Sequence, residues 1–530
     1  MKKLPVGIQN FREIIEDGYV YADKTQYIYN LLTDGKHYFL SRPRRFGKSL
    51  LIDTIAEVMS GEKELFRGLF IYDCGHDFKK YPVLRLDMSN IANETPEILK
   101  AELLIALKKH VKAEGFDFAY ATPSAMFKTL IEELHAKYGS RVAVLIDEYD
   151  KPVLDRLTDI ESAKANRDVL RGFYGVLKSM DPHIKITFIT GVTKFTKTSV
   201  FSELNNLRDI TLEADFANIC GIPIEELDRY FGEHIKNLAS MGTLGDYDGV
   251  RDKILAWYDG YSWDGETRVI NPFSLLGFFI RKRFSSFWYE SGTPKFLLDV
   301  IKKRPQGYTD LRELEIGENS LTFDIEKIAA GPLLFQSGYL TIKAAFHHPP
   351  PPYYRLAMPN YEVREAFNLH IIDEFTEKKE PFAETACRKI KASLETGDLQ
   401  NMLGTLRALF ASIPYQIHMK HEYYYHSIFY AVMNLLGFEI EAEVLVAGGR
   451  IDAVLELDDK VYIVEFKYEN CPRGASSGEK KKLFARALDE GMRQITEKGY
   501  AKRFAGGKQI TLAAFAFLGG DDIEMKTAKP

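Results

Sequence analysis

Three short stretches of this chain carry side chains suited to handling phosphate. The first is Arg42-Pro-Arg-Arg-Phe-Gly47-Lys48-Ser49, set between an apolar run and an amphipathic stretch. Backbone N–H groups of such a loop can cradle phosphate oxygens. A lysine can reach the β- and γ-phosphates, and a hydroxyl can ligate Mg2+. A helix starting near Ser49 adds the positive end of its dipole. Arg45, Phe46, Gly47, Lys48 and Ser49 are therefore candidates for ATP binding, with Ser49 also a metal ligand. The usual first glycine of this loop pattern is replaced by Arg42. Read without further support, the stretch is also a basic turn that starts a helix.

The second stretch, Val142-Ala-Val-Leu-Ile-Asp147-Glu148, has the Walker B pattern of a buried strand ending in two carboxylates. Asp147 is placed to hold Mg2+ together with Ser49. Glu148 is placed to polarise an attacking water. A polar strand end is common on any α/β sheet, but the two motifs together make that plain reading much less attractive. Another strand reading, Lys185–Thr190, ends in Thr190, a candidate for sensing the γ-phosphate from a neighbouring strand end. Lys194 and Lys197 follow and read more naturally as solvated lysines than as phosphate contacts.

The third stretch is residues 448–469, GGRIDAVLELDDKVYIVEFKYE, read as two alternating strands. With Asp458-Asp459 as the turn, Asp452 stands opposite Glu465, their Cβ atoms roughly 4.5–5.5 Å apart. Period two puts Lys467 on the face of Glu465, and the other face is apolar. Facing carboxylates suit Mg2+ or Mn2+, which activates water at a phosphodiester, and a lysine can steady the phosphate. Glu422, before an aromatic-rich helix, is a candidate third metal ligand, and Gln494, on a later helix, a candidate hydrogen-bond donor. Lys480, Lys481 and Lys482 could meet DNA, although a solvated helix face is the simpler reading. A hairpin with a polar solvent face neutralised by Arg450 and Lys467 explains the acids equally well.

The elements around these residues divide the chain. Strand readings at His37–Ser41, Val83–Leu86, Val142–Ile146, Lys185–Thr190 and Asp209–Leu212 alternate with helical patterns. They predict an α/β fold with a mostly parallel sheet over residues 1–215. The strand falling between the two motifs in sequence fits the P-loop subclass that places an extra strand between the motif strands and uses a catalytic glutamate. Residues 216–410 read as mainly helical, with a winged-helix-like unit at 325–365, where a helix precedes two strands around a Pro-rich tip. Residues 411–530 read as helix, hairpin, helix and strand. At 530 residues the chain is too long for one core. A net charge of −5 requires any nucleic-acid site to be a local patch. Four scattered cysteines exclude a disulfide framework or zinc knuckle. The N-terminus lacks the apolar core of a signal peptide, and no run is long enough to span a bilayer. A cytoplasmic protein without membrane contact is expected, and homo-oligomers are common among P-loop machines.

These motifs together resemble a family of bacterial proteins with an N-terminal AAA-ATPase-like domain and a C-terminal PD-(D/E)XK nuclease-superfamily domain. The stretches that carry the resemblance are YADKTQYIYNLL, FLSRPRRFGKSLLIDT, AVLIDEYDKPV, FITGVTKFTKTSVFSELNNL, EYYYHS, GRIDAVLEL and IVEFKY. It implies an AAA-like sheet domain and a restriction-endonuclease-like C-terminal fold, and it accounts for Arg42 as the family's own loop pattern. It maps Asp452, Glu465 and Lys467 onto the D…ExK core and Gln494 onto the helix glutamine that follows. The expected function is ATP binding and hydrolysis coupled to metal-dependent cleavage of nucleic acid, DNA foremost. The rival is a nucleotide-dependent switch whose C-terminal domain binds nucleic acid or a partner without cutting.

Overall fold

The computed structural model describes residues 1–530 apart from 196–199, 202–203, 289–313, 323–324, 327–328, 349–350, 377–381, 412–428, 430–431, 434–438, 447–448, 458, 473, 498–507 and 519–521. The described residues fall into two compact units. One holds the described residues of 1–288 and 314–362, the other those of 363–530.

The first unit is built on a parallel sheet of β1 (His37–Ser41), β2 (Val83–Asp87), β3 (Val142–Asp147), β4 (Ile184–Gly191) and β5 (Arg208–Asp209), in the order β2-β3-β4-β1-β5. The apolar runs that predicted these strands are buried along their length in β1 and β3, as a sheet covered by helices on both faces requires. β4 lies between β1 and β3, so an additional strand separates the two motif strands as the sequence suggested. The last strand is shorter than the apolar run predicted. The Asp209 carboxylate accepts from Thr211 N–H at 2.9 Å, and that turn diverts the chain from the sheet. Covering helices start at threonine caps followed by proline: Thr95 before Pro96–Ala113 and Thr122 before Pro123–Tyr138.

Helices Ile224–Ser240, Tyr247–Tyr258 and Pro272–Arg281 share an apolar core that includes Phe231, Ile235, Ile254, Leu275 and Phe278. A helix, Ala330–Ser337, precedes β7 (Thr341–Phe346) and β8 (Tyr353–Ala357). An additional short strand, β6 (Leu314–Gly317), pairs with β8 to give an antiparallel sheet in the order β6-β8-β7. The helix with two strands was legible, and its third strand was not.

The second unit contains a sheet in the order β13-β12-β11-β10-β9: β9 (Glu439–Val446), β10 (Gly449–Glu456), β11 (Lys460–Glu469), β12 (Gln509–Leu518) and β13 (Asp522–Ala528). β11 and β12 are parallel, and the other neighbours are antiparallel. Helices Phe382–Thr396 and Leu399–Phe410 belong to this unit, whereas the sequence reading placed them in a middle region ending at 410. Particular contacts hold them there. Tyr462 Oη donates to the Leu394 carbonyl at 3.0 Å, Arg407 Nε donates to the Ile523 carbonyl at 2.8 Å, and the Phe410 and Phe517 rings lie 5.2 Å apart. Among the described residues no helix is long and apolar enough to cross a membrane.

Candidate active sites

The loop between β1 and the helix Lys48–Ser60 turns at two residues with positive φ, Arg45 at 68° and Gly47 at 89°. Lys48 is buried, and its ammonium donates to the carbonyls of Arg42 and Pro43, both at 3.0 Å. Burial pushes its pKa down, while Glu148 and Asp147 act in the opposite direction. Asp147, at the end of β3, is 3% exposed. Burial pushes its carboxyl up, opposed first by a hydrogen bond with the Ser49 hydroxyl and then by the Lys48 charge. Glu148 adopts φ +49°, a left-handed conformation costing a non-glycine residue about 1–3 kcal/mol. Its carboxyl is likewise raised by burial and lowered by Lys48.

A cavity of about 620 Å³ opens at Gly47, Lys48, Ser49 and Glu148. It extends to an apolar end that includes Val20, Ile222, Phe273 and Leu276. One polar end and one apolar end in this size range match a nucleotide's phosphates and base. The hard oxygen donors of Ser49 and Asp147 suit Mg2+.

The other loop candidates are placed as follows. Arg45 lines the cavity with its guanidinium 3.7 Å from the Phe273 ring centroid. The Phe46 ring is buried edge-on against Tyr261 and Trp263 at 4.8 and 5.4 Å. Phe46 therefore offers a ligand its backbone rather than its ring. The Thr190 hydroxyl is fully buried and donates to the Leu40 carbonyl at 2.8 Å, which commits it to the neighbouring strand. Lys194 pairs with Asp209 at 2.5 Å, and Lys197 lies outside the described residues.

Two residues to which motif reading gave no role in the site shape it. Arg42 is fully buried beneath the loop and donates to the carbonyls of Ser41, Thr211 and Phe216 at 2.9, 2.8 and 3.2 Å. Its guanidinium lies 3.9 Å from the Trp263 ring centroid, and burial pushes it down to about 10. Asp150 accepts from Val192 N–H at 3.1 Å, Thr193 N–H at 2.6 Å and the Thr193 hydroxyl at 2.5 Å. Asp150 thereby ties the segment after Glu148 to the loop after β4. A Cβ at Gly191 would overlap the Asp150 carboxylate. Nothing in the run IDEYD distinguishes Asp150 by type or spacing.

In the second unit β10 and β11 pair as Ala453↔Val464 through Glu456↔Val461, the register that puts Asp452 opposite Glu465. At Asp452 the side chain takes over from the ladder, its Oδ2 accepting from Phe466 N–H at 2.9 Å. Lys467 Nζ donates to Glu465 Oε1 at 3.2 Å. The Glu465 face is not a solvent face. Glu465 is fully buried, and the helix Ser477–Glu497 packs over it. The signal for that cover is Gly491, a glycine inside a helical pattern. A Cβ there would sit 3.0 Å from Ala514 Cβ, 3.6 Å from Lys467 Cγ and 3.9 Å from Glu465 Cγ. Gln494 is half-buried on the same helix, one turn beyond Gly491. The opposite face packs through Val464 and Phe466, with the Phe466 ring 4.9 Å from Phe429. Two carboxylates and one lysine are a donor set that fits Mg2+ or Mn2+ with a phosphodiester. Glu422 lies outside the described residues. Lys480 pairs with Asp522 at 2.7 Å, while Lys481 and Lys482 are exposed.

Comparison with known proteins agrees with both halves. Residues 5–201 match the model of a predicted AAA-ATPase family, and residues 420–526 match the PD-(D/E)XK nuclease superfamily. A relative from Azotobacter chroococcum mcd 1, described as an uncharacterized protein in the vnfD 5′ region, is 37% identical over 527 residues. That match spans 97% of this chain and 96% of the relative. Among solved structures, the ORC2 protein of Aeropyrum pernix in ADPNP–ADP complexes aligns with 65% of this chain and 93% of its own. The identity is 13% and the TM-score 0.27. With a relative matching almost end to end and a family model matching toward each terminus, the chain belongs to the AAA-ATPase-like proteins that carry a C-terminal PD-(D/E)XK nuclease-superfamily domain.

Proposed function

We propose that the protein binds and hydrolyses ATP at the Lys48 loop and cleaves nucleic acid, DNA foremost, at the Asp452–Glu465–Lys467 site. The observation that carries the first half is the meeting of Ser49, buried Lys48 and Glu148 at one nucleotide-sized cavity, with buried Asp147 next to Glu148 in the chain. Bound Mg2+ would supply charge neutralisation at the β- and γ-phosphates, held by Ser49 and Asp147. The loop's backbone N–H groups and Lys48 orient the phosphates, and Glu148 accepts a proton from the attacking water. Ser49 and Glu148 line one cavity and Asp147 directly precedes Glu148, so the reaction needs little rearrangement of this chain.

At the second site Asp452 and Glu465 would hold Mg2+ or Mn2+, which supplies an activated water and charge stabilisation at the scissile phosphate. Lys467 steadies the negative charge that develops on the phosphate, and Gln494 orients the group presented to it. Burial of Glu465 and the cover of the helix Ser477–Glu497 exclude bulk water from one side of this site.

The test is plasmid cleavage by the full chain with Mg2+ or Mn2+, with and without ATP, beside Asp452→Ala and Lys48→Ala. Cleavage that disappears in Asp452→Ala supports the nuclease, and its dependence on ATP and Lys48 reports whether the two activities are coupled. ATP turnover without cleavage under any condition would replace this reading with that of a nucleotide-dependent switch.

A further inference from the structure

The peptide of Lys194, in the loop that follows β4, is held by one side chain from the three-stranded module. Lys194 N–H donates to Gln336 Oε1 at 2.9 Å, and Gln336 Nε2 donates to the Lys194 carbonyl at 3.2 Å. The same Nε2 donates to the Leu321 carbonyl at 2.7 Å, and Gln336 is 5% exposed. A carboxamide offers a donor and an acceptor in one plane, so it can satisfy a peptide as a neighbouring strand would. Carboxylate, thioether and alkyl groups cannot.

The clamped loop is a junction. Gly191 accepts from Arg42 N–H at 3.2 Å, and the Val192 carbonyl accepts from the Ser41 hydroxyl at 2.6 Å, which ties it to the start of the phosphate loop. Val192 and Thr193 are held by Asp150, and the Thr193 carbonyl accepts from the Tyr149 hydroxyl at 3.0 Å. The segment carrying Asp150 begins at Glu148. A second contact from the same module reaches the phosphate loop directly, since a Cβ at Gly338 would lie 2.8 Å from Pro43 Cβ. Ahead of that module in the chain, Trp288 Nε1 donates to the Arg44 carbonyl at 3.3 Å. Gln336 thus sits at one end of a chain of hydrogen bonds and peptide links that reaches Asp150, two residues beyond Glu148, the residue assigned to polarise water.

We propose that Gln336 is a positioning residue for ATP hydrolysis. It fixes the loop after β4, and through Asp150 that loop sets the placement of Glu148. The three-stranded module is thereby wired into the nucleotide site and becomes the element through which hydrolysis is felt by the rest of the first unit. The inference rests on the hydrolysis reading above.

The experiment measures ATP turnover and ATP affinity for the full chain, Gln336→Met and Gln336→Glu. The Met variant keeps length and removes both hydrogen-bonding functions. It should lower kcat on the order of tenfold, as small misplacements of a reacting group do, and leave KM within about twofold, because no ligand contact is lost. The Glu variant offers only acceptors when ionised and regains a donor when protonated. Its turnover relative to wild type should therefore rise as pH falls, while the Met variant shows no such recovery. Arg42 and Lys194 are the titratable groups sharing a small void with Gln336, and Lys194 pairs with Asp209. The Met variant keeps the same neighbours and carries no carboxyl, so a recovery confined to the Glu variant reports the new group.

A purely structural role would lower thermal stability without this pH signature. A Met variant with kcat within twofold of an active wild type, or a flat pH ratio for the Glu variant, overturns the inference. If the Met variant does not fold, the Glu profile decides. A wild-type chain that binds ATP and releases no phosphate overturns the hydrolysis reading itself, and the inference with it.

Discussion

Lys48 and Glu148 reach one cavity from separate segments, and their positions depend on further residues scattered over the first unit: Arg42 beneath the loop, Asp150 across from Thr193, Gln336 on Lys194. Asp452, Glu465 and Lys467 reach each other within a single hairpin, covered by one helix that comes close at Gly491. The first arrangement is a property of tertiary packing and the second a property of strand register. Damage should therefore propagate differently. Changes far from the nucleotide cavity can alter turnover there, whereas the carboxylate site should respond to its own strand, its turn and its covering helix.

The largest effect that would break this contrast concerns the carboxylates. Asp452→Ala should lower metal-dependent plasmid cleavage by about 10³-fold or more and leave phosphate release from ATP unchanged, given the several kcal/mol that metal-assisted charge stabilisation supplies. A parallel fall in ATP turnover would mean that the two sites are not separable. Next comes Glu148→Gln, which should reduce kcat for ATP by about 10²–10³-fold with binding retained, the range expected when proton transfer to a positioned base is removed. Burial raises the Glu148 carboxyl. The ionised base is therefore lost as pH falls, and the acid limb of turnover should lie above the ordinary glutamate range. A wild-type limb at ordinary glutamate values would remove Glu148 from the role of base.

A smaller effect sharpens the register argument. Gly491→Ala places a methyl 3.0 Å from Ala514 Cβ, and such crowding costs about 1–3 kcal/mol. Cleavage and the unfolding transition of the second unit should both suffer, with ATP turnover intact. Unchanged cleavage would show that the helix need not lie so close. The smallest effect is just ahead of β4, where Asp181 pairs with His37 at 2.8 Å and with Lys36 at 3.0 Å. These partners hold the Asp181 carboxyl below its ordinary range, with the His37 hydrogen bond the larger cause. The group stabilises the fold above the ordinary aspartate range, and that contribution disappears as pH falls through the lowered value. The difference in Tm between wild type and Asp181→Asn should shrink toward zero in acid, and a constant difference would deny the pair any role.

Strand positions and hairpin register were legible because each follows from local pattern. Buried runs at Val142–Ile146 and Lys185–Thr190 are strand-length, and the turn before Lys460 fixes which residues face each other, with Leu457 N–H donating to the Lys460 carbonyl at 2.8 Å. Burial of the Glu465 face was left open because alternation records polarity, and a polar residue under a helix alternates like one in water. Asp150 and Gln336 were invisible for another reason. Their partners lie 43 and 142 residues away, and neither periodicity nor spacing encodes such contacts. The short strand Leu314–Gly317 has too few residues to show a period, and its pairing with β8 across the hairpin is what forms it.

Arg42 stands where a glycine usually opens such a loop, and its three carbonyl partners have consequences for how this chain can change over generations. Replacing Arg42 by glycine would not restore an ordinary loop. It would leave the carbonyls of Ser41, Thr211 and Phe216 in the interior without their donor, each such loss costing about 1–3 kcal/mol, and would open space beside Trp263. The arginine is thus entrenched. Its partners at Thr211 and Phe216 are backbone carbonyls that no change of side chain removes, so glycine at this position is the harmful residue here, and the position can be altered only together with a new donor for them.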